Sequence, residues 1–174
     1  MIVLDGIFLY LKEGIKVFFY KKNKINLYNP VDGNVKFIDE STDPVFAQKL
    51  LGDGFIVEPQ KGSIYSPVNG RVTTIFPTKH AIGLTTSNGD ELLLHMGINT
   101  VEMKGDGFEI FTKENELVTQ DTLLAEIDIN KIKERGYSSE IIVVITKNEK
   151  DFVVLNNIGI LPHSKEIGSL SNGM

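Results

Sequence analysis

Tyr28-Asn29-Pro30-Val31-Asp32-Gly33-Asn34-Val35 recurs 37 residues on as Tyr65-Ser66-Pro67-Val68-Asn69-Gly70-Arg71-Val72. The copies agree at Tyr, Pro, Val, Gly and the final Val, five positions in eight. Each is entered through an extended X-Pro pair, turns at Asp-Gly or Asn-Gly, and leaves into a strand. A repeat of this kind implies two similar β-units packed against one another. Its role is architectural. Around it, residues 35–38, 55–58, 63–65, 72–76, 108–111, 122–127, 141–146 and 152–155 read as short strands between Gly, Pro, Asn and Asp punctuation. Asp43 followed by Pro44 opens a short helix over 45–51, stopped at Gly52. Asp128 opens another over 129–135, with Lys131, Lys133 and Arg135 placed to favour its C-terminus. The predicted fold is all-β, an antiparallel sandwich or barrel with one or two short helices.

The 174 residues suit one domain, and 41% apolar with 24% charged residues describes a globular protein. The net charge of −5 and the lack of a basic stripe argue against nucleic-acid binding. With no cysteine, thiolate metal sites, disulfides and cysteine nucleophiles are excluded, and a reducing cytoplasm fits. Residues 1–20 are apolar but interrupted by Asp5, Lys12, Glu13 and Lys16, so they are too broken to span a bilayer and carry no secretory signature. They read as an edge strand or short helix covering the core. The alternative is an interfacial segment using Phe8, Leu11, Phe18 and Phe19. Residues 1–27 are thus set apart as an extension, 28–160 as the domain and 161–174 as a polar, disordered tail in which His163 is a surface residue.

Between Pro77 and Gly97 two extended runs meet at Asn88-Gly89, a strong hairpin signal. A two-residue turn there pairs Ser87 with Asp90 and Ile82 with His95, and puts His80 on the same face as His95, Cα atoms roughly 7–8 Å apart. Ile82, Leu84 and Leu93 are expected on that face, with Leu92 and Leu94 turned to the core. Walker, dinucleotide, HExxH and GxSxG motifs are all absent. Three chemistries remain for the pair. Two imidazoles could hold zinc, but a further ligand is needed and no third histidine or properly spaced carboxylate is obvious, although Glu91 lies on the same face. They could perform acid–base catalysis on a small substrate in a pocket. Or one could relay a phosphoryl group while the other donates a hydrogen bond to its oxygens. An apolar patch beside an ionisable pair also suits a transient partner surface.

Three stretches resemble the glucose-family enzyme IIA of the bacterial phosphoenolpyruvate-dependent sugar phosphotransferase system. They are Asp43-Pro44-Val45-Phe46-Ala47-Gln48-Lys49-Leu50-Leu51-Gly52-Asp53-Gly54, Ser66 through Ala81, and Leu92-Leu93-Leu94-His95-Met96-Gly97-Ile98-Asn99-Thr100-Val101 with Lys104-Gly105-Asp106-Gly107-Phe108. The resemblance implies a duplicated hybrid-motif β-sandwich that works without a cofactor or metal. It implies His95 as phosphoryl acceptor through Nε2, its Nδ1 proton given to the Gly97 carbonyl. His80 would stabilise the phosphate, Thr78 would orient His80, and Asp43, Val45, Phe46, Phe76, Ile82, Leu93 and Asn99 would form the docking surface. HPr would donate, and a IIB domain of a sugar permease on a separate chain would accept. Some relatives also regulate transporters or enzymes, and contact with a membrane would come only through the permease. At Asn99 the family usually has Asp, which removes one charge from the rim and weakens steering by a basic partner. The competing readings are a non-catalytic regulatory or binding module and a two-histidine zinc hydrolase.

Overall fold

A computed structural model describes residues 8–10, 16–18, 24–146 and 151–172. In chain order the strands are β1 (Phe8–Tyr10), β2 (Lys16–Phe18), β3 (Ile25–Tyr28), β4 (Gly33–Phe37), β5 (Gly54–Pro59), β6 (Ser63–Tyr65), β7 (Gly70–Ile75) and β8 (Ala81–Thr86). There follow β9 (Glu91–Ile98), β10 (Phe108–Ile110), β11 (Leu117–Val118), β12 (Leu123–Ile127), β13 (Ser138–Ile145), β14 (Asp151–Leu155), β15 (Gly159–Leu161) and β16 (Glu166–Asn172). Helix α1 (Pro44–Ala47) precedes β5 and α2 (Ile129–Glu134) precedes β13. Both start where expected, the Asp43 and Asp128 carboxylates accepting from Val45 N–H and Lys131 N–H. Helix α1 is a single turn; Lys49 at φ 57° ends any continuation.

All strand pairs are antiparallel. The largest sheet runs β11-β7-β8-β9-β13-β5-β4-β15, and β10-β12-β6 and β14-β16-β3 are three-stranded. The repeat is expressed physically. Tyr28 N–H donates to the Pro67 carbonyl at 2.8 Å and Tyr65 N–H to the Pro30 carbonyl at 2.7 Å, so each copy closes the other. Val31 and Val68, and Val35 and Val72, are buried as matched pairs in one core. At Gly33 and Gly70 a side chain would collide with the carbonyls of Glu58 and Thr85, which is why both copies keep glycine.

Several sequence expectations need correction. The tail is not disordered through its length: β15 pairs with β4, and β16 lies between β14 and β3 with Ile167 and Leu170 in the core. Likewise β3, assigned to the N-terminal extension, buries Leu27 completely. Within the extension, β1 and β2 pair with each other as a separate two-stranded sheet among the described residues; Leu11 and Phe19 of the interfacial reading lie outside them.

The β8–β9 register is offset by one from the expected pairing. Thr86 N–H bonds the Asp90 carbonyl, Ser87, Asn88 and Gly89 form a three-residue loop, and Ala81 faces His95. Only Gly89 takes a positive φ there (82°), whereas a two-residue type I′ turn needs Asn88 to do so as well. A one-residue slip exchanges faces. Ile82 and Leu84 therefore sit fully buried opposite Leu94 and Leu92, and Ile82 is core rather than docking surface.

Candidate active site

His95 lies on β9 in the middle of the eight-stranded sheet, with Ala81 of β8 on one side and Ile142 of β13 on the other. Alternation turns Leu92, Leu94 and Met96 into the main core and leaves Leu93 and His95 half-buried on the opposite face. That face holds a second apolar cluster of Ile38, Phe46, Ile56, Ile98, Ile142 and Val144. Phe46, carried there by α1, meets the His95 ring with centroids 5.4 Å apart.

His80 arrives by a different route. It precedes β8, following Lys79 at φ 56°, and its carbonyl accepts from Met96 N–H at 2.7 Å. Regular alternation would send its side chain inward beside Met96. Because it belongs to the turn, its ring instead reaches His95, with centroids 5.0 Å apart and planes at 76°. Phe76 closes on its other side, edge-on at 5.5 Å. The Thr78 hydroxyl and His80 Nδ1 are 2.6 Å apart.

Burial, and secondarily the neighbouring His80, pushes His95 down to about 4, while the Gly97 carbonyl and Asp43 act in the opposite direction. Burial also lowers His80. At neutral pH His95 is therefore an uncharged nitrogen base. Its Nδ1 is buried and meets no acceptor at hydrogen-bond geometry, so the influence of the Gly97 carbonyl is one of proximity rather than of a formed bond. Gly97 itself has φ +82°, and a Cβ there would collide with Thr100 Cγ2 and lie 2.7 Å from the Ser138 carbonyl. The Thr100 hydroxyl, donating to the Met96 carbonyl at 2.7 Å, clamps this bend.

Of the remaining sequence-derived candidates, Asp43 is half-buried at the cap of α1, Val45 and Phe76 are exposed beside the pair, and Asn99 is exposed in a left-handed conformation (φ 60°). A groove of about 460 Å³ lined by Thr73, Thr74, Phe76, Gly83, Leu93 and Thr146 continues from Phe76 and Leu93. A roomier cavity, about 880 Å³, lies between the 59–62 turn, β10 and the start of α2 and contains neither histidine. The pair thus occupies a shallow face, unlike a small-molecule pocket. Among the described residues, no group of three His, Cys, Asp or Glu side chains is placed to hold a metal ion. Glu140, absent from the sequence-derived set, is buried on β13. Its signal was an acidic residue at the mouth of the apolar run Ile141-Ile142-Val143-Val144-Ile145.

A duplicated antiparallel β-sandwich with two contacting imidazoles on a shallow, apolar-rimmed face suits a protein that hands a small group to other macromolecules. The family described as phosphoenolpyruvate-dependent sugar phosphotransferase system, EIIA 1, matches residues 25–151. The glucose-specific EIIA component of Halalkalibacterium halodurans is 42% identical over 120 residues, 69% of each chain. The glucose-specific EIICBA component of Streptococcus pneumoniae is 43% identical over 123 residues, 71% of this chain but 17% of that longer one. The structure of glucose permease IIA from Mycoplasma capricolum superposes with a TM-score of 0.80 at 30% identity, covering 87% of this chain and 98% of that one. The chain belongs to this EIIA family, and is a phosphoryl-carrying component of the sugar phosphotransferase system.

Proposed function

We propose that His95 carries the phosphoryl group on Nε2. The observation that carries this reading is the 5.0 Å contact of two imidazoles held uncharged at neutral pH. The phosphoryl group arrives from a phosphohistidine of HPr: the P–N bond to the donor breaks as a P–N bond to His95 Nε2 forms. It leaves when a cysteine thiolate of a IIB domain displaces it, forming P–S and returning His95 to its neutral state. Nothing but the phosphoryl group is exchanged, so no nucleotide or metal is required in this chain. A proton on His95 Nδ1, on the side of the Gly97 carbonyl though not bonded to it, would leave Nε2 with the lone pair. Thr78 donates to His80 Nδ1, so His80 Nε2–H faces the phosphoryl oxygens and offsets their growing charge.

Val45, Phe46, Phe76 and Leu93 form the apolar docking rim, with Asp43 and Asn99 as its polar members. The Streptococcus relative, whose name joins EIIA to EIIB and EIIC, supports a permease-borne acceptor at the cytoplasmic face, and the relatives' names point to glucose or a glucoside as the sugar. Incubation with phosphoenolpyruvate, enzyme I and HPr should add one acid-labile phosphate, seen by mass spectrometry and lost in His95→Ala. No addition to the unaltered chain would sink the relay and favour a binding or regulatory module.

A further inference from the structure

Glu140 is a buried carboxylate on β13 whose side-chain hydrogen bonds run to residues 41 and 42. The β13–β9 pairing is irregular between Ser138 and Ile141, a bulge that re-aims the intervening side chains. Glu140 reaches the segment leading into α1. Its Oε1 accepts from the Ser41 hydroxyl at 2.7 Å and its Oε2 lies 3.4 Å from Thr42 N. The same Ser41 oxygen accepts from Asp43 N–H at 3.3 Å, and Asp43 caps the helix that lays Phe46 on the His95 ring. Four residues in series therefore link β13 to the cover of the phosphoryl acceptor. A carboxyl group offers two acceptor oxygens, so one side chain can meet a hydroxyl and an amide at once. Lys36, nearby on β4, is engaged by Glu58 at 2.6 Å.

We propose that Glu140 is a positioning residue for phosphoryl transfer: its carboxylate ties the segment 41–43 to β13 and so holds Phe46 and Asp43 in place over His95. The proposal rests on His95 being the acceptor. Releasing the tie lets water reach the ring and blurs the docking rim, while the nucleophile itself is untouched.

The test combines Glu140→Ala, Glu140→Gln and Ser41→Ala in the full chain, read by NMR titration of the His95 ring and by transfer kinetics from phospho-HPr. In Glu140→Ala the His95 midpoint should rise by about one pH unit, and KM for the donor by roughly fivefold to tenfold with kcat within about twofold. Ser41→Ala should move both readouts the same way, adding little when combined with Glu140→Ala. Glu140→Gln, which still accepts from Ser41, should stay close to the unaltered chain. An unchanged midpoint and KM in folded Glu140→Ala, even with a lowered Tm, would overturn the proposal. If Glu140→Ala fails to fold, Ser41→Ala alone decides in the same terms. If the unaltered chain accepts no phosphate, the relay reading fails, whereas the titration still reports whether Glu140 holds the cover on His95.

Discussion

The molecule has two histidine clusters of opposite character. His80 and His95 lie against each other, His95 against the tilted ring of Phe46 and His80 edge-on to Phe76. His163 stacks flat on Tyr65 at 4.1 Å, and its Nδ1 and backbone N–H both reach Asp32 Oδ1, at 2.6 and 2.7 Å. Asp32 also holds Lys61 at 2.7 Å, and these donors keep its carboxyl well below the usual carboxylate range. A histidine anchored by a carboxylate is a structural tie, here fastening the segment after β15 to the first repeat turn. Two histidines buried against each other and against aromatic rings are expensive to charge, and that keeps a nitrogen lone pair available for chemistry.

The sharpest way to break this contrast is to exchange the two losses. His95→Ala should abolish phosphate acceptance, more than about a thousandfold, with the fold retained. His163→Ala should leave transfer within about twofold and lower Tm instead. Equal effects in the kinetic assay would erase the distinction. Next in size, His80→Gln should still be phosphorylated by HPr yet pass phosphate to IIB about a hundredfold more slowly. Normal onward transfer would remove His80 from the mechanism.

Both clusters lose stability as pH falls, but in different windows. His95 titrates near 4 in the folded protein and near the ordinary 6.5 when unfolded, so the unfolded chain takes up the proton first as pH falls. Stability should therefore be full above about pH 6.5 and decline by up to about 3 kcal/mol toward pH 4, measured by urea unfolding. In His95→Gln that slope should flatten. Asp32 behaves as a depressed carboxylate, its contribution present above the ordinary carboxylate pKa and lost only as pH falls through the lowered one. Asp32→Asn should accordingly cost about 1–2 kcal/mol at pH 7, by the same measurement, with phosphate acceptance unaltered. A change in acceptance would mean that the tie and the site are coupled.

How much of this was legible in the sequence varies by element. The duplicated Tyr-x-Pro-Val-x-Gly turn announced the architecture because turn geometry is set by the residues in the turn; both helix starts were readable for the same reason. The meeting of His80 with His95 was anticipated through two errors that cancel. Asn88-Gly89 suggested a two-residue turn, but Thr86 and Asp90 close the loop instead: the Thr86 hydroxyl donates to Asp90 Oδ2 at 2.7 Å and accepts from Asn88 N–H and Asp90 N–H. That shift alone would have placed His80 on the core side. The turn around Lys79 brings it back, while Ile82, inside the strand, stays buried.

Sequence by itself determined the β-class, the repeat, the caps and the family signature around His95, since each depends on neighbours a few residues apart. Tertiary structure alone decided the rest. Strand pairing over more than a hundred residues makes a polar tail into β16, with Asn29 Nδ2 meeting the Leu161 and Pro162 carbonyls and His163 meeting Asp32. A single acidic residue at the mouth of β13 reaches back 99 positions to Ser41. Burial, which sets the charge state of His95, is a property of everything packed around the ring. No local pattern contains it.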